Sequence, residues 1–148
     1  MFLLDTNVIS ALAPSNRARV GELAAWLDRA SPHLFLSVIT AAEVAAGVAK
    51  VEREGAGAKA GMLAEWWQAV EHFYAMKVLA FDLRCAHVAG RLLDQARAHR
   101  PGFEDIAIAA TAEAHGLTVL TRNLRHFEPL GVRVLDPFQG LPPLPETR

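Results

Sequence analysis

Met1-Phe2-Leu3-Leu4-Asp5-Thr6-Asn7 opens the chain with an apolar run that stops at an acid and a polar turn. A run without polar alternation predicts a strand buried on both faces, ending at Asp5. Four more runs of this kind follow, at residues 34–37, 77–81, 117–121 and 132–135. The stretches between them are rich in Ala and Leu and carry helical period, at about residues 18–30, 39–53, 58–75, 83–98 and 104–115. Buried strands alternating with helices predict an α/β fold, with a central, mainly parallel sheet of five strands covered on both faces.

The punctuation fits that reading. Glu54-Gly55-Ala56-Gly57 interrupts the longest helical region and predicts a helical hairpin, while Pro101-Gly102 separates two later helices. Gly116 stands where a left-handed cap would end a helix just before a strand. Residues 1–138 read as a single domain, and residues 139–148 as a Pro-rich tail, extended or frayed.

Composition narrows the function. The 148 residues, 52% of them hydrophobic, suffice for one core without disulfides or a structural metal. Lys and Arg total 15 against 16 Asp and Glu, a net charge of -1, which excludes a generally basic nucleic-acid coat protein. A polyanionic substrate then needs a local basic patch. The single cysteine, Cys85, excludes a disulfide scaffold or thiolate cluster and points to a reducing compartment. The opening run is too short for a signal peptide, and the most apolar stretch, residues 34–49, is broken by Glu43 and falls short of the roughly 20 residues that span a bilayer. A soluble, cytoplasmic protein with no membrane attachment is expected.

Ligands of open parallel sheets bind beyond the carboxyl ends of the strands. Asp5 ends the first strand, Glu43 lies early in the helix after the second, and Asn123 follows the fourth by two residues. Asp105 opens the helix that feeds that fourth strand. Each has a structural explanation. Asp5 can cap a helix, and Glu104 with Asp105 can answer a helix dipole. Thr40-Ala41-Ala42-Glu43 matches a capping box in which Glu43 reaches back to the Thr40 N–H, and Asn123 can serve a turn. Together, however, three carboxylates at one sheet edge repel one another unless a cation neutralises them. Hard oxygen donors in that number suit Mg²⁺ or Mn²⁺, which could activate water and steady a phosphodiester during in-line displacement.

Four segments, in order, carry a resemblance: residues 3–10 around Asp5, 37–48 around Glu43, 105–112 from Asp105, and Thr121-Arg122-Asn123. From Met1 to Phe138 the chain resembles the PIN-domain family, and within it the VapC-type toxin ribonucleases, including the FitB-like branch. The resemblance implies a PIN-like three-layer α/β/α sandwich with a protruding helical hairpin. It implies a Mg²⁺-dependent endoribonuclease, the toxin of a type II pair, with Mn²⁺ able to substitute. Asp5 and Asp105 match the acids that touch the metal, Glu43 the acid that works through water, and Asn123 a position where many PIN domains carry a fourth acid. The implied partners are an RNA substrate, a VapB-like antitoxin gripped by the hairpin of about residues 39–75, and a second copy of the chain.

Other candidates carry less. The six histidines, His33, His72, His87, His99, His115 and His126, form no H-x-H or H-E-x-x-H and read as surface or helix-end residues. Asp82 reads as an N-cap and Cys85 as a small buried hydrophobe. Trp66 and Trp67 are adjacent on one helix, so their side chains point about 100° apart and one is left for a partner. Ten arginines and lysines, Arg19 and Arg122 among them, could rim an acidic pocket. Two alternatives stand beside the nuclease. A haloacid-dehalogenase-like phosphotransferase wants a second Asp where this chain has Asn7, which cannot act as the acid. A PIN fold that only binds is the other.

Overall fold

In the computed structural model, which describes residues 1–146, the five expected strands form one sheet. Thr147 and Arg148, the last two residues of the expected tail, lie outside the described residues. The strands are β1 (Phe2–Leu4), β2 (Leu34–Ser37), β3 (Val78–Leu79), β4 (Thr118–Leu120) and β5 (Val134–Leu135). Their order is β3-β2-β1-β4-β5 and each neighbouring pair is parallel. The first strand in sequence is thus the central one, with Leu3 opposite Phe35 on one side and Val119 on the other.

Alternation along the strands builds two cores. Phe2 and Leu4 point into one, with Leu34, Leu36 and Leu120, and Leu3 and Val119 point into the other. The first is closed by α2 (Gly21–Ala30), through Leu23, Trp26 and Leu27, and by α4 (Gly57–Phe73), through Trp67 and Val70. The second is closed by α5 (Leu83–Gln95) and α6 (Phe103–Ala114), with Leu92, Ile106 and Ile108 fully buried. Each such aliphatic side chain removed from water contributes about 1.5–3 kcal/mol. This is the three-layer α/β/α arrangement. Among the described residues no helix is long and apolar enough to cross a membrane.

Helix α3 (Val38–Arg53) and α4 form the hairpin, turning at Gly55 with φ +87°, a conformation that favours glycine. Gly116, at φ +67°, ends α6 in a Schellman motif: the Leu117 N–H donates to the Ala112 carbonyl at 2.8 Å and the Gly116 N–H to the Glu113 carbonyl at 3.1 Å. Asp82 caps α5, accepting from the Cys85 N–H at 3.0 Å, and Cys85 is buried as expected.

The structure departs from the sequence reading at the ends of elements. Residues 77–81 pair only at Val78 and Leu79, because β3 is an edge strand and Lys77 belongs to the preceding 3₁₀ turn. The helical stretch of about residues 18–30 begins as a separate 3₁₀ turn, Arg17–Val20. Two four-residue helices, α1 (Thr6–Ile9) and α7 (Leu124–Phe127), are too short to leave a periodic signal. Residues 139–146 form no helix or strand, yet the Trp26 indole N–H donates to the Pro142 carbonyl at 2.8 Å, so this segment is tied down rather than frayed.

Candidate functional site

Asp5 leaves β1 with its backbone still in the sheet, its N–H donating to the Leu120 carbonyl at 2.9 Å. Its side chain is 5% exposed. Oδ1 accepts from the Thr6 N–H at 2.8 Å, and Oδ2 accepts from the Thr121 hydroxyl at 2.7 Å and from Asn7 Nδ2 at 3.3 Å. A carboxylate offers about four acceptor positions, so three are used and one is left. Thr121 Oγ1 also accepts from the Asn123 N–H at 3.0 Å, and Asn7 Oδ1 accepts from the Arg122 N–H at 3.1 Å. The turn after β1 and the turn after β4 are therefore stitched into one rigid floor.

Glu43 reaches this floor from α3. Its Oε1 accepts from the Thr6 hydroxyl at 2.8 Å, and the same hydroxyl lies 3.1 Å from Thr40 Oγ1. The capping box expected at Thr40 is absent. The helix starts earlier, capped by Ser37, whose hydroxyl accepts from the Ile39 N–H at 3.0 Å, which leaves Thr40 inside the helix and Glu43 free to face the sheet edge. Asp105 stands in the first turn of α6, 23% exposed, with Oδ2 3.0 Å from His126 Nδ1.

Burial pushes the Asp5 carboxyl above the ordinary carboxylate range. Hydrogen bonds from Thr121 and Thr6 pull it back, the charge of Asp105 pushes it further up, and His126 offsets part of this. Glu43 is raised for the same leading reason, burial, opposed by the Thr6 hydrogen bond and reinforced by the charges of Asp5, Asp105 and Glu104. The three acids thus lie within one another's field. Among the described residues, no Lys or Arg forms an ion pair with any of them.

That imbalance, with hard oxygen donors and one free position on Asp5, fits a hard divalent cation. Among the described residues no three His, Cys, Asp or Glu side chains close into a complete cage. An ion that keeps most of its waters and takes one or two carboxylates does not need one. Asp5 keeps one acceptor position open and feels the charge of Asp105.

Asn123 is exposed, and among the described residues its side chain makes no hydrogen bond to the acids; only its backbone is tied in, through Thr121. Sequence reasoning missed Thr121, Thr6 and His126. The two threonines read as ordinary strand-end and turn residues, and no pattern joins His126 to a partner 21 residues away. The remaining histidines are exposed or half-buried.

A groove of about 320 Å³ runs from Glu43 along the hairpin, lined by Val44, Val48, Val51, Leu63 and Trp66. Trp67 is buried at 7% exposure, whereas Trp66 is only half-buried, its ring 5.9 Å from that of Trp67. Phe73, the last residue of α4, and Met76, just past it, are exposed.

The PIN domain profile matches residues 2–130. The chain is 38% identical to Toxin FitB of Neisseria gonorrhoeae, the match covering 93% of this chain and 99% of that one. It is 36% identical to VapC ribonuclease Y4jK of Sinorhizobium fredii, over 94% and 99% of the two chains. The crystal structure of FitAcB from Neisseria gonorrhoeae superposes with a TM-score of 0.79 at 37% identity, covering 93% of this chain and 99% of that one.

Proposed function

The chain belongs to the PIN-domain family, and from that premise we propose that it is the toxin of a VapBC-like toxin–antitoxin pair, acting as a Mg²⁺-dependent endoribonuclease. The observation that carries this reading is the acid cluster at the carboxyl edge of the sheet, with Asp5 buried and raised by burial and by Asp105, and no Lys or Arg among the described residues paired to it. A fold that keeps unbalanced carboxylates together keeps them for a cation.

Asp5 and Asp105 would hold Mg²⁺, with Mn²⁺ able to replace it. When bound, the ion supplies Lewis-acid stabilisation of charge on the phosphodiester. Thr121 and the Thr6 N–H fix the Asp5 carboxylate in one orientation, so little is lost in ordering it. Glu43 holds a proton more readily than an ordinary carboxylate, and Oε2, which takes no hydrogen bond among the described residues, is free to accept one from an attacking water. Asn123, exposed at the rim, is placed to meet substrate. Hydrolysis by in-line displacement leaves 5′-phosphate and 3′-hydroxyl ends. The haloacid-dehalogenase-like alternative is disfavoured, because an Asp5 with both oxygens hydrogen-bonded and 5% exposed is a poor nucleophile.

Relatives support the partners. Toxin FitB and VapC ribonuclease Y4jK carry toxin and ribonuclease in their names, and a VapBC from Salmonella typhimurium has been solved bound to DNA. A VapB-like antitoxin seated along the hairpin, a homodimer and a cytoplasmic location belong to the same proposal. Purified protein should cleave RNA in Mg²⁺ and not in EDTA, and Asp5→Asn should abolish cleavage while the protein stays folded. Cleavage that persists in EDTA, or leaves 2′,3′-cyclic phosphate ends, would reject the mechanism.

A further inference from the structure

Beside α1 lies a second cleft, of about 370 Å³, lined by Asn7, Arg19, Arg122, Ala11 and Val20 and sharing Ser10 and Asn16 with the hairpin groove. It includes Asn7, whose Nδ2 donates to Asp5 Oδ2 at 3.3 Å, and so adjoins the acid cluster. Both arginines are exposed, and among the described residues neither forms an ion pair. Arg17, by contrast, is paired with Asp28 at 2.6 Å.

Arg122 is fixed at both ends. Its backbone N–H donates to Asn7 Oδ1, and its guanidinium carbon sits over the Phe138 ring, 3.7 Å from the centroid. Phe138 itself packs against the first core. A stacked guanidinium keeps its N–H edge open and has already given up most of its rotational freedom, so an anion that meets it costs less to bind. In a chain with net charge -1, two uncompensated guanidinium groups beside an acidic centre make a local anion site.

Resting on the nuclease reading, we propose that Arg19 and Arg122 seat a backbone phosphate of single-stranded RNA next to the scissile one, so that the strand enters the acid cluster along the Asn7 side. The arginines draw the polyanion toward a centre that would otherwise repel it, and the stack on Phe138 sets where the phosphate stops. Arg122 is a positioning residue here: it holds the strand and does not touch the reacting atoms.

The test uses the full chain and a 5′-labelled, mixed-sequence single-stranded RNA. Binding is followed by fluorescence anisotropy in EDTA over a range of KCl, and cleavage kinetics are measured in Mg²⁺. Arg19→Gln and Arg122→Gln should each weaken binding by roughly 3- to 10-fold and lower the slope of log Kd against log salt by about 0.7. KM should rise with kcat nearly unchanged. Arg122→Lys should restore the salt slope but only part of the affinity, and Arg53→Gln, on the hairpin, should change neither. If Arg122→Gln and Phe138→Leu lower the melting temperature while Kd and slope stay at wild-type values, the stack merely anchors the C-terminal segment and the proposal falls. Wild-type cleavage with both arginine variants binding normally overturns the phosphate seat and leaves the nuclease reading intact. Changed salt slopes in a protein that cleaves no RNA in Mg²⁺ overturn the nuclease reading instead.

Discussion

Two clefts open beside α1 with different charged and aromatic residues. The hairpin groove adds Val44, Val48, Val51, Leu63 and half of Trp66; the Asn7 cleft adds two arginines without ion pairs among the described residues, Arg19 and Arg122, and Ser10 and Asn16 line both. An apolar groove rewards a partner that loses water and fits its shape, whereas a basic cleft rewards negative charge in many sequence contexts. A single short helix therefore adjoins both a surface suited to a protein segment and one suited to a nucleic-acid strand. Glu43 lines the first, and Asn7, which donates to Asp5, lines the second.

The largest effect that could break this division lies at the acids themselves. Asp5→Asn or Asp105→Asn should lower RNA cleavage by more than about 100-fold, the upper range for losing even a supporting group of a metal site. Antitoxin binding on the hairpin side should persist. Loss of both functions together, in a protein that melts normally, would show that the clefts are not independent. Next is Thr121→Val, which removes the buried hydroxyl that donates to Asp5 at 2.7 Å. Cleavage should fall by about 10- to 100-fold, with partial recovery in Thr121→Ser.

The two tryptophans sharpen the apolar side. Trp66→Glu should weaken antitoxin binding by an amount equivalent to about 2 kcal/mol, measured by calorimetry, with cleavage of RNA by the free toxin unchanged. Trp67→Ala should instead cost about 3–5 kcal/mol of folding stability, because that ring is buried in the core.

The smallest expected effect concerns acidity. Asp5 and Glu43 are both raised above their ordinary values of 3.8 and 4.5, so the folded protein retains protons that the unfolded chain releases. Their contribution favours folding at acid pH and is lost as pH rises through the ordinary range up to the raised values. Metal-free protein should therefore melt lower at neutral pH than at acid pH, in a pH scan of the melting temperature. Asp5→Asn should flatten that difference, and added Mg²⁺ should raise the neutral-pH melting point of the wild type only.

The sheet was legible because buried strands announce themselves as uninterrupted apolar runs, and the helices because their period is long enough to count. The candidate site was legible only in part. Asp5, Glu43 and Asp105 follow from strand ends and a family resemblance, but their hydrogen-bond partners do not. Thr121 meets Asp5 across 116 positions, and only the folded sheet brings them together. The capping-box reading of Thr40 and Glu43 failed because two valid caps compete three residues apart, and Ser37 wins by ending a strand. Arg122 was one of 15 Lys and Arg residues in the sequence; only the folded chain sets its guanidinium over Phe138 at the Asn7 cleft.

The central place of β1 bears on synthesis. Of the five strands β1 is made first and finds β2 soon, but its other edge waits for residues 118–120. Until then Asp5 lacks both the Leu120 carbonyl that receives its N–H and the Thr121 hydroxyl that orients its carboxylate. Because chains emerge amino end first and distant pairings close late, a nascent chain stopped before β4 already carries all three acids and no floor beneath them. An acid cluster assembled in this order is completed only once β4 and the turn after it have emerged.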